Sequence, residues 1–76
     1  MTKARQRFVH LAERRTRKAI KILRLIGNLS NRTNYSYEEN DVNKIFNALR
    51  NEVKASQHRF NEQVNSERDV EFFLEE

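Results

Sequence analysis

Eight basic side chains, Lys3, Arg7, His10, Arg14, Arg17, Lys18, Lys21 and Arg24, recur every three or four residues over the first third of the chain. Residues at that spacing are neighbours on one side of a helix, so in helical conformation they form a continuous ridge about 30 Å long at about 1.5 Å per residue. A ridge of this kind suits a surface that tracks phosphates: each neutralised phosphate releases counterions, and affinity falls as salt rises. It contains no Phe, Tyr or Trp ring on which a base would stack. A helix pair joined by three or four residues with a separate recognition helix is also missing from the pattern. The expected contact is therefore with the phosphate backbone and depends weakly on base sequence. The plainer reading of the same residues is a solvated helix face.

Other reactive residue types are sparse. There is no cysteine, which excludes thiolate metal sites and disulfides. His10 and His58 each have a carboxylate one turn away, in Glu13 and Glu62. Two ligands each, on faces expected to point apart, are too few for a metal ion, so neither a metal nor another cofactor is expected. No nucleophile with a base, no glycine-rich phosphate loop and no paired carboxylates in a concave setting are evident, and the expectation is a protein without enzymatic activity. Asn31 and Arg32, with Tyr35 and Tyr37 nearby, form a polar loop that suits recognition of a partner, since rigid helices often present contacts on loops and Tyr and Arg favour hot spots. Local capping and an aromatic lid over Ile26 and Val42 are enough to account for the tyrosines, but account less easily for Asn31 and Arg32.

These residues need helices to position them, and the composition supplies little else. With no proline, one glycine and mostly strong helix formers, a sheet-rich fold is excluded in practice. From about residue 2 to 26, Ala4, Phe8, Leu11, Ala12, Ala19, Ile22, Leu23 and Ile26 share one face opposite the basic ridge,. Gly27 follows where a left-handed cap would stop the helix, with Lys21 and Arg24 expected in its last turn. Residues 27–36, rich in Asn, Ser and Thr, read as a loop. Ser36 and Glu39 then match a capping box, opening a second helix over about 37–65 whose stripe is Val42, Ile45, Phe46, Leu49, Val53, Ser56, Phe60 and Val64.

Short connections make neighbouring helices antiparallel, so the expected fold is all-α: a long two-helix hairpin within a single helical domain, residues 1–76. Setting Ile26 beside Val42 places Leu23 near Ile45 and Phe46, Ala19 near Leu49, Ala12 near Ser56, and Phe8 near Phe60. Arg15, the one charge inside the apolar face of the first helix, would pass Glu52 or Val53, either as an ion pair or as a polar group that fixes register at an interface. Residues 66–76 are acidic, and Val70, Phe72, Phe73 and Leu74 fall out of phase with the preceding stripe. They read either as a short third helix capped by Ser66 or as a frayed end.

At 76 residues a single core rarely stabilises a monomer generously, and two facing stripes leave flanks uncovered. Val9 and Ile20, with Phe72, Phe73 and Leu74, are the residues expected to mediate further contact, as in a homodimer forming a helical bundle. Charge is divided sharply: residues 1–24 hold nine Lys or Arg against Glu13 alone, and residues 61–76 hold six acids against Arg68. Such asymmetry points to an anionic partner or to head-to-tail self-association. No segment approaches the roughly 20 apolar residues that span a bilayer, no secretory signal opens the chain, and an amphipathic helix without Trp is a poor membrane anchor. A cytoplasmic protein without membrane contact is expected.

The stretch Arg24-Leu25-Ile26-Gly27-Asn28-Leu29-Ser30-Asn31-Arg32-Thr33-Asn34-Tyr35, followed by Val42, Ile45, Phe46 and Leu49, resembles a set of small helical proteins encoded on bacterial plasmids and phages that have no assigned activity. The resemblance covers under half of the chain and implies a bacterial or phage cytosolic setting, with no site residues attached. Two functional expectations stand together. One is a non-enzymatic regulator that engages nucleic acid or a nucleoprotein complex through Lys3, Arg7, Arg14, Arg17, Lys18, Lys21 and Arg24. The other is a protein adaptor or inhibitor acting through Asn31, Arg32 and the apolar flanks at Phe72 and Phe73.

Overall fold

The computed structural model describes residues 2–75, and the side chains of residues 2–64. Among the described residues there are two helices and no strand: α1, Lys3–Asn28, and α2, Glu39–Glu75. The all-α class and the order of two long helices separated by a polar connection are as the sequence predicts. The chain divides into two compact units, Met1–Ser36 and Tyr37–Glu76, with one helix in each.

α1 begins where a side chain first satisfies its free amides. Thr2 lies outside the helix at φ −71° and ψ 159°, and its Oγ1 accepts from the Arg5 amide at 3.1 Å. Its carbonyl accepts the first backbone bond, from Gln6, at 3.0 Å. This is the geometry of an N-cap, which typically contributes about 1 kcal/mol.

The other end of α1 differs from the expected stop. Gly27 lies inside the helix, no glycine takes a positive φ, and the chain continues helical to Asn28. The helix closes by tightening: Leu29 donates to the Ile26 carbonyl at 3.0 Å and Ser30 to that of Gly27 at 3.1 Å. Bonds of three-residue span of this kind occupy terminal carbonyls that would otherwise require a left-handed cap. Leu29 stays right-handed at φ −68° and ψ −7°. Because α1 runs further than expected, Lys21 and Arg24 fall short of its last turn, which holds no basic residue.

The connection is organised by Asn31. Its Oδ1 accepts from the Thr33 amide at 3.0 Å, and its carbonyl accepts from Asn34 at 3.2 Å and Tyr35 at 3.0 Å. This is an Asx turn, the local chemistry by which Asn replaces a backbone turn.

α2 is capped two residues beyond the predicted box. The Asp41 carboxylate accepts from the Glu38 amide at 2.9 Å, while the Glu38 carbonyl accepts from Asp41 at 3.0 Å and Val42 at 3.3 Å. Glu38 and Asp41, three apart, therefore take the role that the sequence assigns to Ser36 and Glu39. The first turn carries Glu39 and Asp41, whose charge favours the positive end of the helix dipole. α2 spans 37 residues with no glycine or proline to interrupt it. α2 runs without a break through Ser66 to Glu75, past the end expected near residue 65, whereas the capping role given to Ser66 and the roles given to Phe72 and Phe73 concern side chains outside the described residues.

No described residue is fully buried. Val9, Leu11, Ala12 and Ile26 in α1, and Val42 and Leu49 in α2, are half-buried. The larger side chains of the stripes keep much of their surface, as with Phe8 at 48% and Phe60 at 63%. Each helix thus presents an apolar face at its own surface.

Candidate nucleic-acid interface

The ridge rests on the regularity of α1. Its 26 residues hold helical conformation without interruption, so at about 100° per residue Lys3, Arg7, Arg14, Arg17, Lys18, Lys21 and Arg24 fall within an arc about 120° wide. All seven are exposed. The apolar face, centred on Phe8 and Ile26, lies on the far side. Separation of the two faces follows from the sequence period and needs no tertiary contact.

The charges of the ridge are largely uncommitted. Glu13 is the single acid of α1, and it reaches Arg17 at 3.9 Å, one turn away, with side chains 79% and 59% exposed for Arg17 and Glu13. A pair so exposed is held weakly. Among the described residues no carboxylate pairs with Lys3, Arg7, Arg14, Lys18, Lys21 or Arg24. Six cations along one face, without a carboxylate partner among the described residues, generate a local positive potential that attracts polyanions.

No family model, curated protein or solved structure matches this chain. The functional reading therefore rests on the chemistry of its own residues.

Two basic side chains lie off the ridge. Arg5 sits with its guanidinium carbon 5.7 Å from the centre of the Phe8 ring, a cation–π contact that ties it to the apolar side of α1. The spacing of three between Arg5 and Phe8 signals this contact in the sequence, although the ridge pattern passes over it. Arg15 is exposed on the apolar face, midway between Ala4 and Ile26.

Of the residues expected to bind a protein partner, Asn31 and Arg32 lie in the exposed connection. The Asn31 side-chain oxygen is engaged in its own turn, accepting from the Thr33 amide. Tyr37 is half-buried, whereas Tyr35 is 48% exposed. His58 Nε2 lies 3.0 Å from Glu62 Oε1, one turn on along α2. Among the described residues no three His, Cys, Asp or Glu side chains gather where they could hold a metal ion. A shallow depression on α1 is lined by Ala12, Glu13, Thr16 and Arg17. Among the described residues, no helix is long and apolar enough to cross a membrane.

Proposed function

We propose that this protein is a non-enzymatic binder of nucleic acid that engages the phosphate backbone through the ridge on α1. The observation that carries the reading is the alignment of seven exposed cations on one uninterrupted helix, six of them without a carboxylate partner among the described residues. Arg side chains offer forked donors to phosphate oxygens, and Lys adds point charge. Lacking a stacking ring on the ridge, the helix takes its affinity from charge and reads base sequence weakly. A regulatory role follows: such a protein occupies or coats a nucleic acid or a nucleoprotein complex and alters access to it.

The test is binding of the purified protein to labelled single-stranded and double-stranded DNA and RNA across a salt series. Affinity should fall steeply as salt rises, with little preference among base sequences. Absence of binding at low salt would overturn this reading and leave the ridge as a solvated face, with a protein partner engaged elsewhere on the chain.

A further inference from the structure

α1 carries more apolar surface than one neighbouring helix covers. At about 100° per residue, one seam follows Phe8, Leu11, Ala19, Ile22 and Ile26, and a second follows Val9, Ala12, Thr16, Ile20 and Leu23, about 100° further round. In the second seam Val9 and Ala12 are half-buried, while Ile20 and Leu23 are each 43% exposed. The small side chains of Ala12 and Thr16 leave the depression flanked by Glu13 and Arg17. A helix that touches one neighbour uses a single narrow stripe, whereas a helix within a bundle buries a wider face against two. The described chain offers one helix besides α1. Even with α2 on one seam, the other needs a helix from a different molecule.

The second seam is self-complementary. It is symmetric about Thr16, with Ala12 and Ile20 four residues to either side and Val9 and Leu23 seven. Two copies of α1 laid antiparallel about a two-fold axis through Thr16 set Ala12 of one against Ile20 of the other, a small side chain opposite a large one. Val9 then meets Leu23, and Thr16 meets Thr16. Contact of one patch with itself is the form a two-fold dimer requires. Glu13 borders this seam on the ridge side, and the antiparallel arrangement brings it beside Arg17 of the other copy, so the single acid of α1 stands where the approaching cation needs it.

We infer that the seam of Val9, Ala12, Thr16, Ile20 and Leu23 is the contact between two copies of this chain. The centre of the ridge lies about 140° from the centre of this seam, so each copy keeps its ridge cations outward, apart from Arg17 at the border. Two ridges would then face different directions, and one dimer could hold two nucleic-acid segments. Salt discriminates the two surfaces. Screening relieves repulsion between two helices of like charge, so self-association should persist or tighten as salt rises, while phosphate binding weakens.

The experiment uses the full chain without nucleic acid, so its outcome is separate from that of the ridge. Sedimentation equilibrium should give twice 9.2 kDa at moderate salt, and Ile20→Lys should return the mass of one chain. Because a separated chain could lose structure, cysteine crosslinking gives a second readout in a protein that contains no cysteine. Helix axes 8–10 Å apart bring facing Cα atoms within disulfide range, so oxidised Thr16→Cys should crosslink at least about tenfold faster than Arg14→Cys on the ridge. Val9→Cys should join Leu23→Cys in a mixture, with neither joining itself. A one-chain mass throughout, or equal crosslinking at positions 14 and 16, would overturn the inference.

Discussion

Replacing Arg14, Arg17, Lys18 and Lys21 with Gln removes four of the seven ridge cations and leaves α1 helical. Gln ranks beside Lys and Arg in helix propensity, and the four side chains are exposed, where substitutions usually shift stability by less than about 0.5 kcal/mol each. If all seven cations engage duplex phosphates, log affinity falls against log salt with a slope of about −6, since each contact contributes about −0.9. Three remaining cations give about −3. Between 50 and 200 mM salt, the parent chain then loses about four orders of magnitude in affinity and the variant about two.

Net charge alone would also change binding, so the decisive comparison is a charge-matched variant. Lys44, Arg50, Lys54 and Arg59 of α2 are spread around that helix, and replacing them with Gln takes the formal charge from +4 to zero, as the ridge variant does. Fluorescence anisotropy with a labelled duplex measures both slopes, and circular dichroism reports helicity. The ridge variant should lose about half its slope, and the α2 variant should keep nearly all of it. Equal slopes in the two variants would refute the ridge as a site and reduce the effect to overall charge.

Other outcomes follow from the helix ends. Gly27 is helical, and a Cβ added there would meet no atom within 4 Å, so Gly27→Ala should stabilise the protein by up to about 1 kcal/mol in urea unfolding; a left-handed cap would give the opposite sign. Thr2→Ala should cost about 1 kcal/mol and Thr2→Ser little, measured by thermal melting, because Oγ1 holds the Arg5 amide,. Asp41→Ala should reduce α2 stability by about 0.5–1.5 kcal/mol, the value of one hydrogen bond, while Ser36→Ala should have a smaller effect. Glu62→Gln should change stability by less than about 0.5 kcal/mol, since the His58–Glu62 pair is 70% and 61% exposed,.

The helices are legible because a period of 3.6 is written redundantly. In α1, eight apolar and eight basic residues mark opposite faces, and no single position decides the assignment. The ends depend on one or two hydrogen bonds, and there competing signals lie close together. Ser36 with Glu39 and Glu38 with Asp41 are both spaced for a cap, two residues apart. The second prevails, with the Asp41 carboxylate reaching back to the Glu38 amide. Gly27 permits a left-handed stop but does not require one, and the carbonyls it would have left free are taken by Leu29 and Ser30. Thr2 gives little warning, since Arg5, three residues on, cannot complete a capping box. Asn31 suits both turn chemistry and partner contact by residue type; its bond to the Thr33 amide supports the first role. The ridge is fully legible, as helical periodicity alone assembles it.

If the ridge is the binding surface proposed above, the unbroken run of α1 also fixes a footprint. From Lys3 to Arg24 the ridge measures about 31 Å at 1.5 Å per residue, which matches about nine base pairs at 3.4 Å each. Duplex DNA is stiff on that scale, with a persistence length of about 150 base pairs, so rod and duplex would meet without either bending. A ridge lying along the duplex would thus occupy a constant length whatever the sequence beneath it, and saturation would count duplex length in units of one helix. The stoichiometry of a coated strand would thereby be set by the stretch of α1 from Lys3 to Arg24, which the helix holds unbroken before it closes at Asn28.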